Sequence, residues 1–434
     1  MFCTQLFVTL SFEMKKICFL VDSIFSFGGV QRVTAVTAKA LTKDYDVTIV
    51  TFDEPSTKDT TLYDLKETDI HYRFFKFPKS NYFKLKCSKV YSALYRKILP
   101  QNEITSKWYS HSSFLSEKRN ALIHELKGGN YDVIVGVHAS LAVRLATCKP
   151  YLGNVKLIGW IHNSYRALFC EGSRYSIGPE LQKFYEYQFS QLHHTIVLCK
   201  YDAQQYHFPT KVIYNPLTLI PDNVATGNSK KFLAVGRFSY QHKGFDLLIQ
   251  AFNIFAKKNK EWTLDIVGEG EEESLYRQMI SEYQLNKRII IHPFTNHVQS
   301  YYSNAQVYVL SSRWEGFGLV LVEAMAHGLP VISSDLPTSK EIMGDFGLYF
   351  KNESIEQLAQ RLEDATHLDW EKKSKEALAI AKRFDLETIT QQWKRLIEDK
   401  TPHLPPSASV YSIEDVLLFY EFPLVAWRNC SESQ

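Results

Sequence analysis

With 434 residues, 45% of them hydrophobic, the chain is long enough for two domains or three, each with an ample core. A formal net charge of +3 gives the whole molecule no bias toward nucleic acid or acidic partners. Its seven cysteines (Cys3, Cys18, Cys87, Cys148, Cys170, Cys199, Cys430) are odd in number and form no C-x-x-C pair, which argues against a structural zinc and for a reducing cytosol.

No segment approaches the roughly 18 apolar residues of a membrane span. Residues 1–13 are apolar but lack a cationic start and a cleavage site, so a mis-assigned extension or a disordered arm is expected ahead of Met14-Lys15-Lys16. Residues 17–21 read as a buried strand. A turn containing Gly28-Gly29 and a helix to about Lys43 follow, an order that brings backbone close to a phosphate or a sugar hydroxyl. It is not G-x-G-x-x-G, so a dinucleotide fingerprint is absent. Further buried strands are predicted at 47–52, 133–137, 155–161 and 195–198, separated by helical patterns. That alternation predicts an α/β fold with a parallel, doubly wound sheet. His138 and His162 each stand at the C-terminal end of a predicted strand, where ligands of such sheets bind. Asp44-Tyr-Asp46 is formally D-x-D, but it falls at a helix-to-strand turn and reads as structural.

Between residues 71 and 120 the composition changes. From His71 to Arg119 there are eleven Lys/Arg against two acids, interleaved with aromatic residues that include Phe74, Phe77, Tyr82, Phe83 and Trp108. This basic aromatic insertion is either a solvated excursion or a face for anionic lipid or a polyprenyl diphosphate acceptor. Peripheral contact with an anionic membrane surface is favoured over nucleic acid, because no nucleic-acid module surrounds the stretch.

The first domain is expected over 14–216 and a second over 217–398, joined by a polar linker at 221–228. In the second, a strand at 232–235 leads into Gly236-Arg237 and on to Lys243-Gly244, followed by a helix. Arg237 supplies a fork of donors and Lys243 a point charge, and both can reach one diphosphate. A strand at 263–267 ends in Gly268-Glu-Gly270, fitting either a nucleotide-facing turn or a tight connection, and one at 289–292 is followed by Phe294. A buried strand at 307–310 then opens Arg313 to Asp335, where Glu315-Gly316-Phe317-Gly318-Leu319 starts a helix carrying Glu323. The helix N-terminus offers free N–H groups to an anion. Glu323 sits among apolar neighbours with no solvated face and therefore needs a partner or a ligand. Helices at 355–366, 370–383 and 386–399 close the domain, and the tail 399–434 fits no part of the pattern.

Glu315 to Glu323 resembles the E-x7-E signature of the retaining glycosyltransferases of family 4, and the 236–246 stretch resembles that family's G-R…K-G pattern. The resemblance covers roughly residues 14 to 398. It implies the GT-B architecture: two Rossmann-like domains facing across a cleft, with the last helices crossing back onto the first. It also implies a donor site. Arg237 and Lys243 would neutralise the leaving diphosphate, Glu315 hold sugar hydroxyls and Glu323 the ribose. His138 would contact the donor sugar, and Gly28, Gly29, Gly236, Gly268, Phe294, Gly316, Phe317, Gly318 and Leu319 would line the donor path. No metal and no other cofactor is implied. The activity expected is retaining, same-face transfer of a hexosyl unit from a nucleotide sugar, with a UDP-sugar favoured, to a lipid-linked or surface glycan. Such an enzyme would build cell-surface polysaccharide, capsule or lipopolysaccharide at the cytoplasmic face of the membrane. A nucleotide-sugar epimerase of the same fold and a non-catalytic nucleotide-sugar-binding adaptor are the alternatives.

Overall fold

The apolar runs of the sequence become strands buried on both faces, as a parallel sheet covered by helices requires. The computed structural model describes residues 14–170 and 176–400. The expected arm at 1–13 and the tail beyond residue 400 lie outside the described residues. The first sheet contains β1 (Lys16–Val21), β2 (Asp46–Thr51), β3 (Ile70–Phe74), β4 (Val133–Val137), β5 (Lys156–Trp160), β6 (His194–Val197) and β7 (Lys211–Val212), in the order β3-β2-β1-β4-β5-β6-β7. The second contains β8 (Lys231–Val235), β9 (Thr263–Val267), β10 (Ile289–His292), β11 (Val307–Leu310), β12 (Val331–Ser334) and β13 (Leu348–Phe350), in the order β10-β9-β8-β11-β12-β13. Neighbouring strands pair in parallel, with Ile17 opposite Val47 on one side and Val133 on the other. These are two Rossmann-like, doubly wound domains, as expected.

Both strand orders reverse at one place, between β1 and β4 in the first sheet and between β8 and β11 in the second. Loops leaving the carboxyl ends of such a pair diverge to opposite faces and leave a crevice between them. The turn after β1 carries Gly28-Gly29 and the turn after β4 starts at His138. The turn after β8 carries Gly236 to Lys243, and the turn after β11 carries Glu315 to Gly318. Topology alone therefore collects these four loops at two facing switch points.

The basic insertion is shorter than its composition indicates. Ile70–Phe74 is the edge strand β3, paired with β2 from Ile70↔Val47 to Phe74↔Thr51. An edge strand tolerates charge on its open side, and Arg73 is held there by Glu125 at 2.5 Å. Beyond it, Phe75 and Phe77 pack with Phe52 and Phe114 beside the sheet. What remains is helical: Tyr82–Lys97, Glu103–Ser113 and Ser116–Gly128.

The 221–228 linker lies against the second domain, where Ala225 N–H donates to the His327 carbonyl at 2.9 Å. Helix Leu386–Glu398, counted from sequence within 217–398, packs against the first sheet. Its Trp393 is fully buried against Phe19 and Trp160. Lys394 pairs with Asp44 at 2.7 Å, which gives the D-x-D stretch a structural task. Lys156 Nζ donates to the carbonyls of Leu396 and Ile397 at 3.1 and 2.9 Å, the natural place for a cation at a helix C-terminus.

Candidate active site

A crevice of about 1500 Å³ separates the two sheets' carboxyl ends. Its walls include every site residue anticipated from the sequence: Gly28, Gly29, His138, Gly236, Arg237, Lys243, Gly268, Phe294, Glu315, Gly316, Phe317, Gly318, Leu319 and Glu323. His162, the second histidine candidate, lines it too.

Lys243 and Glu315 form the centre of the second-domain wall. Lys243 Nζ lies 2.6 Å from Glu315 Oε1, which also accepts from Ser312 Oγ at 2.6 Å. The two loops are tied by backbone and side chain. Ser311 Oγ donates to the Lys243 carbonyl at 2.9 Å, and Arg313 N–H to the His242 carbonyl at 2.7 Å. Arg313 also grips Asp246 with both terminal nitrogens, at 2.9 and 2.7 Å. Gly244 adopts φ 61, and a Cβ there would fall 2.1 Å from the Ser311 carbonyl. Only glycine lets the loops meet this closely. Burial works to raise the Glu315 carboxyl pKa, but Lys243 and His242 outweigh it and hold the group far below the carboxylate range. The carboxylate is thus ionised, buried and aimed at the crevice. Arg237 is exposed, with no ion-pair partner among the described residues, so its guanidinium is available to a ligand.

Glu323 does have partners, and the sequence reading did not name them. Arg32, on helix Gly29–Leu41 of the first domain, forms an ion pair with its Oε1. Tyr302 Oη donates to Oε2 at 3.1 Å, and Thr218 Oγ1 lies 3.5 Å from Oε1. The cue available was position: Arg32 follows the Gly28-Gly29 turn by one helical turn, so it points along the same wall as the loop. His242 was also missed. Its ring stacks on Trp314, with centroids 3.8 Å apart and planes 7° apart, and its Nε2 lies 3.7 Å from Glu315 Oε2.

Across the crevice His138 takes φ 81 immediately before helix Ala139–Cys148, which turns its ring toward His162 at 5.7 Å between centroids. Burial lowers the pKa of both rings, His162 well below its ordinary value, so both stand neutral near pH 7. The domains touch directly here. A Cβ on Gly316 would fall 2.7 Å from the His162 carbonyl, and Gly29 lies against Leu319. At the mouth, Phe27 and Phe294 meet edge to face at 5.2 Å. The Gly268-Glu-Gly270 turn owes its glycines to close packing. Cβ atoms would fall 1.9 Å from the Gly236 carbonyl and 2.2 Å from the Phe238 carbonyl. Among the described residues no three His, Cys, Asp or Glu side chains converge as a metal-ligand set.

Two Rossmann-like parallel sheets facing across a crevice of this kind define the GT-B fold of glycosyltransferases. Residues 218–383 match the family of group 1 glycosyl transferases. The chain is 27% identical over 400 residues to an uncharacterized glycosyltransferase of Haemophilus influenzae, covering 88% of this chain and 100% of that one. It is 34% identical over 142 residues to the amylovoran biosynthesis glycosyltransferase AmsD of Erwinia amylovora, covering 32% of this chain and 40% of AmsD. The lipopolysaccharide outer core galactosyltransferase WaaB shares the fold with a TM-score of 0.63 at 18% identity, over 89% of this chain and 100% of WaaB. Anabaena HepE, solved with UDP-glucose, does so with a TM-score of 0.64 at 19% identity, over 88% of this chain and 99% of HepE. Together these findings support a GT-B glycosyltransferase.

Proposed function

We propose that the chain is a retaining glycosyltransferase that moves a hexosyl unit from a UDP-sugar to a lipid-linked or surface-glycan acceptor in polysaccharide or lipopolysaccharide biosynthesis. The observation that carries this reading is the meeting of Arg237, Lys243, Glu315 and Glu323 with the Gly28-Gly29 turn in one crevice. UDP as the nucleotide is supported by the ligand named for HepE, and polysaccharide assembly by the name of AmsD.

In this reading the bond from the anomeric carbon to the diphosphate oxygen breaks, and its electron pair leaves with the nucleoside diphosphate. Arg237 and Lys243 meet the charge that develops there, and the N-terminus of helix Leu319–Ala326 adds a positive dipole end. This protein charge takes the place that a metal ion would otherwise fill. Glu315 orients the sugar hydroxyls. Glu323 accepts from the ribose after exchanging its contact with Arg32. The acceptor hydroxyl attacks from the face the phosphate leaves, and its proton passes to the leaving phosphate oxygen. His138, neutral at the crevice wall, positions the sugar. A double displacement through two carboxylates would need them about 5 Å apart as nucleophile and acid. Here one carboxylate is bound to Lys243 and the other to Arg32, and neither is poised as a proton donor.

The test is to incubate purified protein with labelled UDP- and GDP-sugars and an acceptor lipid, then follow nucleotide release and the anomeric proton by NMR. UDP release with retained configuration is expected. Inverted product rejects same-face transfer. Epimerised sugar without transfer assigns an epimerase, and tight binding without turnover assigns an adaptor.

A further inference from the structure

The helix Tyr82–Lys97 buries a single residue, Tyr95, along its whole length. A helix stabilised by packing should hide its apolar stripe, yet this one turns it outward. Phe83, Cys87, Val90, Leu94 and the following Ile98 recur at spacings of four, three, four and four, so they form one ridge. Phe83 is 76% exposed, Val90 61% and Ile98 73%. The adjoining helix Glu103–Ser113 packs on the first through Tyr109, stacked on Tyr95 at 4.3 Å. It too sends apolar residues outward, with Ile104 65% and Trp108 63% exposed. The hairpin is anchored to the first domain through Tyr95, Tyr109, Leu181 and Phe184, so the outward ridge is a presented surface and not a frayed segment.

Charge identifies the occupant. Residues 82–113 carry six Lys/Arg against one acid. Lys84 and Arg96 are engaged with Glu117 and Glu180. Among the described residues Lys86, Lys89, Lys97 and Lys107 have no ion-pair partner, and Lys86 and Lys97 fall along one border of the ridge. A second copy of the chain would bring the same cations against themselves, and a nucleic acid would leave the ridge wet. A bilayer with anionic headgroups satisfies both, taking the ridge below the headgroups and the lysines at their level.

We propose that the 82–113 helical hairpin is a docking surface for anionic lipid bilayers, lying in the interface plane without crossing it. It would hold the crevice beside a membrane-borne acceptor, but docking itself does not depend on the sugar chemistry. The test therefore omits nucleotide sugar, so that its failure and the failure of the transfer reaction are separate results. Full-length protein is sedimented with vesicles of phosphatidylcholine alone and of phosphatidylcholine mixed with phosphatidylglycerol, at low and high salt. Binding to the mixed vesicles that salt weakens is expected. Each near-surface cation contributes about fivefold, so Lys86→Ala, Lys89→Ala and Lys97→Ala combined should lower partitioning roughly a hundredfold. Val90→Ser with Leu94→Ser should lower it about tenfold or more, from lost apolar insertion. These side chains face solvent, so the variants should melt with the parent. No binding, equal binding to both vesicle types, or unaltered binding by the lysine variant overturns the proposal. So does a dimer in analytical ultracentrifugation that the Val90→Ser/Leu94→Ser variant dissolves, which would assign the ridge to a second copy.

Discussion

Lys243 and Glu315 illustrate how a site cation can be held ready without being consumed by its partner. Their contact of 2.6 Å lies at the crevice wall with Ser312 behind it, so under the proposed function a diphosphate would meet an ammonium already placed. Removing one such donor typically costs about 3 kcal/mol of barrier, or roughly a hundredfold in rate. Lys243→Ala or Arg237→Ala should each lower kcat by that order with the melt preserved for Arg237→Ala, as steady-state kinetics will show. Near-normal turnover in both would remove the diphosphate assignment. Arg32 and Glu323 pose a different case, because their ion pair spans two domains and Glu323 is 1% exposed. Taking away Arg32 leaves a buried carboxylate uncompensated. Arg32→Ala should therefore cost about 3 kcal/mol, and adding Glu323→Gln should recover a large part of it. A double-mutant cycle in urea measures the coupling, and strict additivity would refute it.

At the scale of elements, the returning helix Leu386–Glu398 decides how the two halves are held. Trp393 fills the space between Phe19 of β1 and Trp160 of β5, and it is fully buried. Trp393→Ala should cost about 3–5 kcal/mol in denaturant unfolding. Loss of less than about 1 kcal/mol would mean the helix is not a structural part of the first domain.

For the whole molecule, the close approach of Gly316 to the His162 carbonyl is one place where the two lobes meet. A methyl at Gly316 would fall 2.7 Å from that oxygen, and a backbone atom cannot move aside as a side-chain tip can. Gly316→Ala should reduce kcat/KM by about a hundredfold through misplacement of the two walls, with little change in melting temperature. Unaltered kinetics would show that catalysis does not need this contact. The crevice histidines should give the molecule an acid-sensitive stability. Burial lowers the pKa of His138, His162 and His242, so the unfolded chain takes up their protons first as pH falls. Stability should decline below about pH 6.5, by at most about 1.4 kcal/mol per pH unit for each group. His162→Asn should make that slope shallower in urea titrations at successive pH values. An unchanged slope would contradict the buried, neutral state of the ring.

The sequence by itself determined what is local. Continuous apolar runs sufficed for most strands, because strands of a covered parallel sheet are apolar on both faces. β9 and β10 span Thr263–Val267 and Ile289–His292, and β4 spans Val133–Val137, where the sequence places them. The loops after β1, β4, β8 and β11 were legible as crevice-lining loops for the same reason, since the strand-turn-helix order brings backbone to strand ends. β3 was not legible: its edge position admits His71 and Arg73, which hid it within a basic composition. Composition also could not separate the buried Phe75 and Tyr95 from the exposed Phe83 and Trp108, because only packing decides which side of a helix meets the core. The partner of Glu323 lies 291 residues away, and that of Glu315 lies 72 away. Such pairings depend on strand order and, for Glu323, on how the two lobes face each other, which no local pattern encodes. Tertiary structure alone made one crevice of them.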